Sequence, residues 1–177
     1  MHELAITAIG ADRPGVVAAV TGVLADLDGN LEDTSMTILG GRFAMVLIVA
    51  VPDDLDAESV RQALAGPGEE LGLDVSVHPS DRTGDTVEGD PWSVSVYGAD
   101  RPGIVHRFAE VLADHGVNIT DLTTRVIGGA DRPVYAMLLD VSLPVGVSAE
   151  ELQRGLDAVA VELGVECSMH AADADIL

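Results

Sequence analysis

Apolar and polar positions along the chain alternate in two distinct periods. Leu4, Ile6 and Ala8 alternate with Ala5, Thr7 and Ile9, which predicts a strand too apolar to lie at a sheet edge. Val16, Val20, Val23, Leu24 and Leu27 then recur at helical spacing, with Pro14 suited to a first turn and Gly29 to a left-handed cap after the last. The runs Asn30–Leu39 and Arg42–Val51, joined by Gly40-Gly41, read as a hairpin. A second helix is predicted over Asp56–Leu71, and Leu73, Val75 and Val77 alternate in a last strand. Pro67, between Gly66 and Gly68, should bend or break that helix.

The same order then returns. Gly10-Ala11-Asp12-Arg13-Pro14-Gly15 recurs letter for letter as Gly98-Ala99-Asp100-Arg101-Pro102-Gly103. Asn30 and Asn118 keep that register, as do Asp33 and Asp121. Phe43-Ala44-Met45 matches Tyr135-Ala136-Met137 at an offset larger by four, so an insertion sits near Gly128 to Arg132. Ile104, Phe108, Val111 and Leu112 form the helical stripe of the second copy. Ser148 and Glu151 make a capping box for its later helix, whose face is Leu152, Leu156, Val159 and Leu163. The expected organisation is a domain over 1–78, a polar linker over 79–91 and a second domain over 92–177. Each repeats βαββαβ, the ferredoxin-like pattern of the α+β class, with two helices on one face of a four-stranded antiparallel sheet.

Charge narrows the function. The chain carries 9 Arg against 30 Asp and Glu, for a formal charge of −21, and has no lysine. Phosphate contacts need clustered cations, so nucleic acid is excluded as a direct partner and an anionic membrane surface with it. The longest apolar run, Phe43 to Val51, is far short of the ~20 residues that span a bilayer. A single cysteine, Cys167, cannot close an internal disulfide, and the start of the chain shows no signal segment, so a soluble cytoplasmic protein is expected.

No enzymatic constellation emerges. No serine sits in a nucleophile elbow, and no phosphate loop ends in lysine. His2, His78, His106, His115 and His170 lack zinc-ligand spacing, so neither a metal nor a cofactor is expected. His78 and His170 follow alternating strands and read as surface residues. Cys167 takes the place of Val75 and reads as a small packed side chain rather than a nucleophile. His106 and His115 stand where the first copy has Ala18 and Leu27. A ligand role competes there with a histidine favoured at a helix C-terminus, and the latter is preferred.

The repeated loop admits two readings. A buried strand turns through it into a helix whose free N–H groups and positive dipole end form a seat for a carboxylate. Gly15 lets a ligand approach the backbone, and Asn30, expected beside that helix start, offers both a donor and an acceptor to a zwitterion. Alternatively Asp12 caps the helix, Pro14 presets its first turn and Arg13 pairs with surplus acid.

Asp-Arg-Pro-Gly followed by Val or Ile, between a strand and a helix, with Gly-Asn-Leu or Val-Asn-Ile downstream, resembles the ACT domain. Two copies filling a chain resemble the glycine cleavage system transcriptional repressor family. The resemblance implies a regulatory protein, not an enzyme. Such a protein binds a small amino acid, with glycine or serine first, and acts on a protein partner such as a transcriptional regulator, without holding DNA itself. Carried over by position, the ligand-binding candidates are Asp12, Arg13, Gly15, Val16 and Asn30 in the first copy. In the second they are Asp100, Arg101, Gly103, Ile104 and Asn118. Exposed edge strands favour a homodimer. The rival expectation is a ligand-independent adaptor built from two ACT domains.

Overall fold

A strand at the middle of a helix-covered antiparallel sheet has to be apolar on the covered face, and the apolar stretches 4–9 and 43–51 do lie at the middle of a sheet. The structure, a computed structural model, describes residues 1–80, 89–128 and 133–172. It divides into two units, Met1–Gly84 and Asp85–Leu177. The first runs β1 (His2–Ala11), α1 (Val16–Asp26), β2 (Asn30–Leu39), β3 (Arg42–Val51), α2 (Ala57–Leu71) and β4 (Leu73–Pro79). The second runs β5 (Gly89–Gly98), α3 (Ile104–Asp114), β6 (Asn118–Ile127), β7 (Val134–Pro144), α4 (Ala149–Leu163) and β8 (Val165–Ala171). The sheet orders are β2-β3-β1-β4 and β6-β7-β5-β8, with every pairing antiparallel. Both are ferredoxin-like.

Alternation decides which face the helices cover. Leu4, Ile6 and Ala8 of β1 are buried with Phe43, Met45, Leu47 and Val49 of β3 under Val16, Val20 and Leu24 of α1 and Val60 and Leu64 of α2. Val94, Val96, Met137, Leu139 and Val141 lie under Ile104, Phe108 and Leu112 of α3 and Leu152 and Leu156 of α4. β2 lies outside the helices' reach, and all ten of its residues are exposed.

Three local expectations change. α2 runs unbroken across Pro67. Proline removes one backbone donor, and its Gly66 and Gly68 neighbours have no side chains to crowd the ring, while packing on β4 holds the helix in place. The left-handed residue after α1 is Asp28, at φ 56, and not Gly29; Gly116 holds that position in the second unit at φ 69. Gly29 is required for a different reason: a Cβ there would stand 2.9 Å from the Leu24 carbonyl oxygen and 3.2 Å from Val49 Cγ1. Pro14 lies two residues before the helix rather than in its first turn. The expected linker falls largely on residues 81–88, and the insertion on 129–132, outside the described residues; Gly89–Pro91 already belong to β5.

Candidate functional site

Each glycine of the repeated loop has its own cause. Gly10 and Gly98 end central strands against the neighbouring strand. A Cβ on Gly10 would come within 2.7 Å of the Gly72 carbonyl oxygen, and one on Gly98 within 2.6 Å of Val165 Cγ1. Sheet packing therefore accounts for them. Gly15 and Gly103 are the N-cap residues of α1 and α3, with φ 94 and 93, values that disfavour any side chain. No atom lies within 4 Å of a Cβ built on either, so the space before both helices is open.

The helix starts differ within each unit. α2 is capped by Asp56, whose carboxylate accepts from the Ser59 amide at 2.8 Å, and α4 by Ser148, whose hydroxyl accepts from Glu151 at 3.3 Å. Acidic residues fill the first turns of both. α1 and α3 have neither a side-chain cap nor an acid in the first turn. Asp12 and Asp100 are exposed and cap nothing there; the Asp12 amide donates instead to the Gly41 carbonyl at 3.2 Å. Backbone bonding of the loop helices begins with Ala19 to Gly15 and Arg107 to Gly103. Among the described residues, the amides of Val17, Ala18, Val105 and His106 have no backbone acceptor. Unoccupied donors at a positive dipole end favour an anion.

The other candidates separate. Val16 and Ile104 have side chains buried in the two cores and offer only main-chain atoms. Arg101 extends from the loop to α4, where Nη1 donates to the Leu163 carbonyl at 3.0 Å and lies beside Gly164. Nothing comparable approaches Gly72, so Arg13 is not used in the same way. Asn30 and Asn118 are not beside the helix start of their own unit. Asn30 pairs with Ala50, whereas the loop leaves β1 at Ala11, opposite Arg42. At ~3.3 Å per residue the two ends of β3 are about 26 Å apart. In this topology α1 runs back antiparallel to β1, so β2 starts at the far end. Asn118, paired with Ser142, stands likewise.

One residue was missed. Tyr135, where the first unit has the buried Phe43, lines a hollow of about 390 Å³ with Asp100, Arg101, Gly103, Ile104, Val105 and His106. Burial raises the pKa of its hydroxyl, and the Asp100 charge acts the same way, against a hydrogen bond with Thr124. The signal available in the sequence is the Phe43/Tyr135 match, in which a hydroxyl is added at an otherwise equivalent aromatic position. His106 stands 3.5 Å from Glu110 and is exposed. His115 caps α3, with Nδ1 at 2.8 Å from the Val111 carbonyl oxygen, as a histidine at a helix C-terminus should. Burial, with the charge of Asp157, pushes the Cys167 thiol up to about 11, which makes it a poor nucleophile. Among the described residues no three His, Cys, Asp or Glu side chains converge as a metal site, and no helix is long and apolar enough to cross a membrane.

Two ferredoxin-like units, each with one capped helix and one open helix start at the end of a central strand, define a tandem of small regulatory domains. The chain belongs to the ACT domain family, whose model matches residues 2–78 and 93–170. It is similar over 175 residues to the glycine cleavage system transcriptional repressor of Escherichia coli strain K12, at 25% identity, covering 97% of this chain and 91% of that one. A UPF0237 protein of Methanopyrus kandleri is 45% identical over 82 residues, which cover 46% of this chain and 91% of its own, so a single unit corresponds to nearly a whole protein there. The solved structure of an unknown protein from Galdieria sulphuraria matches with a TM-score of 0.83 at 26% identity, over 97% of this chain and 99% of that one.

Proposed function

We propose that this ACT-domain protein senses a free small amino acid, glycine or serine first, and passes the signal to a protein partner such as a transcriptional regulator. The observation that carries the reading is the start of α1 and of α3, which has neither a side-chain cap nor an acid in the first turn, in a fold whose other two helices have both. A ligand carboxylate accepts from the amides of Val17 and Ala18, or of Val105 and His106. The name of the Escherichia coli relative supports a regulatory partner, and the charge of −21 argues against DNA itself.

The ammonium group of such a ligand cannot meet Asn30 or Asn118 of the same unit. An asparagine takes part only from outside that unit, and a second copy of the chain in a homodimer supplies one. Binding then favours one arrangement of domains over another, which is what changes affinity for a partner.

Calorimetric titration of the whole chain with the twenty amino acids tests this. Saturable heat is expected from one or two of them; it should fall in Ala18→Asp and in His106→Asp, and vanish when the two substitutions are combined. Each variant places a carboxylate in the first helical turn, which stabilises the helix while occupying the seat. The ligand-independent adaptor has its own support, because packing explains Gly10 and Gly98, and helix capping explains Arg101. Absence of heat from every amino acid at about 1 mM and above would decide for the adaptor.

A further inference from the structure

The open face of the second sheet carries a charge pattern that is complementary to itself. α3 and α4 cover the face of Val94, Val96 and Leu139; the intervening residues point away from them. Strand register sets Asp121, Asp140, Ser93 and His170 in one row across the four strands, and Arg125, Ala136, Tyr97 and Glu166 in another. Leu138 lies in the row between, 49% exposed, and Tyr97 is 40% exposed. Of the row residues just named, all except Glu166 line a shallow hollow of about 620 Å³.

Each edge strand therefore bears complementary groups placed evenly about the Leu138 row: the Asp121 carboxylate and Arg125 guanidinium on β6, and the His170 imidazole, a hydrogen-bond donor, and Glu166 carboxylate on β8. Among the described residues Arg125 and Glu166 enter no ion pair. We propose that this face is a pairing surface for a second copy of the chain, related by a two-fold axis that crosses the strands at Leu138. Such an axis sets Asp121 against Arg125 of the second copy, and His170 against its Glu166. Leu138 meets its own counterpart. Tyr97 of the second copy lies over Ser93, next to Asp140, which already accepts from Ser93 Oγ at 2.7 Å. A self-complementary patch is what an isologous contact requires, and two sheets pack face to face about 10 Å apart with their strands roughly aligned.

The first unit repeats the pattern only in part. Asp33, His78 and Asp74 stand where Asp121, His170 and Glu166 do, but Thr37 replaces Arg125 and Ile48 replaces Asp140, so its β2 edge lacks the cation that would meet Asp33 of a second copy. Four strands ~4.8 Å apart along seven paired residues give about 440 Å² of flat face per copy, below the ~600 Å² per partner of the smallest stable interfaces and in the range of transient ones. Weak, concentration-dependent pairing is expected. The proposal rests on the pairing of copies invoked above, not on the amino acid.

Sedimentation of the full chain and of three variants tests it. Asp121→Arg and Arg125→Asp each set like charges opposite one another and should weaken the dimer about tenfold or more. The double variant should restore it to within about threefold. Residues 121 and 125 are ~13 Å apart along one strand, so the rescue cannot arise within a copy. In parallel, Leu138→Cys should cross-link on mild oxidation faster than Val161→Cys, although Val161 is 83% exposed. A dimer unaffected by either single charge reversal, or faster cross-linking at 161, would overturn this face while leaving the dimer standing. A chain that stays monomeric to about 1 mM would overturn the pairing of copies as well.

Discussion

Arg101 and Leu163, 62 positions apart, are joined by a hydrogen bond of 3.0 Å from guanidinium to carbonyl. The loop that opens α3 thereby closes α4, because the last carbonyls of a helix have no partner of their own and a cation there also meets the negative end of the dipole. Motif identity between the two copies conceals this division of labour. Arg13 stands at the same place in an identical hexapeptide and has no such approach to Gly72.

Arg101→Ala should consequently lower stability by about 1 kcal/mol, while Arg13→Ala changes it by less than about 0.5 kcal/mol. Urea unfolding of the two variants beside the parent measures both. Equal losses would show that the hydrogen bond is not what distinguishes the two arginines.

Asp28 and Gly116 occupy the same left-handed position at φ 56 and 69. A side chain with that backbone costs roughly 1 kcal/mol, offset in part for glycine by its freedom when unfolded. Asp28→Gly should stabilise the first unit, and Gly116→Asp should destabilise the second. Thermal melts of the pair should move in opposite directions.

Gly29→Ala should fare worse than either, since its Cβ meets the Leu24 carbonyl and Val49 Cγ1 and the backbone would have to shift. About 1–3 kcal/mol is the expected loss, read from denaturant midpoints. Wild-type stability in this variant would mean that the helix end gives way freely.

A tyrosine hydroxyl is protonated through the neutral range, and burial pushes that of Tyr135 further up from its ordinary value, so it is available to donate to an anion at the α3 start. Tyr135→Phe should weaken the second seat for an amino acid about fivefold, the worth of one neutral hydrogen bond, with no loss at the first. Titration calorimetry of that variant checks it, provided heat is seen with the parent.

Cys167 carries a pH signature. Its ordinary value near 9 is raised to about 11 by burial. Below about pH 9 the folded and unfolded thiols are both protonated and stability is unaffected. Between about 9 and 11 the unfolded thiol ionises first, so the folded state binds more protons and stability falls as pH rises. Cys167→Val should flatten that part of the stability–pH curve, and an alkylating reagent at pH 8 should modify the native protein far more slowly than the unfolded one.

Much of this was legible in the sequence because alternation and helical spacing report directly on burial. Leu4, Ile6 and Ala8 gave a central strand, and Ser148 with Glu151 gave the start of α4. What stayed hidden depends on three-dimensional neighbours. The left-handed position fell on Asp28 because glycine is the usual occupant but not the necessary one, and Gly29 next to it was needed for space. Asn30 was placed beside the loop on chain order, whereas an antiparallel return of α1 carries it to the opposite end of the sheet. Tyr135 was visible only as a match to Phe43; its hydroxyl acquires meaning once β7 brings it to the helix start.

β2 and β6 have a further consequence. Each is a sheet edge that pairs with no further strand among the described residues, with Met36, Ile38 and Leu39 exposed on one strand and Val126 and Ile127 on the other. Such edges recruit further strands without regard to partner, and among the safeguards visible here are a bulge near the start of each and the repulsion of an acidic surface. With 30 carboxylates against 9 arginines, that repulsion disappears as the medium is acidified toward the point of zero charge. Colloidal stability is thus borne by titratable acid rather than by the fold, and acidified samples should cloud through sheet-rich aggregates before the helices melt.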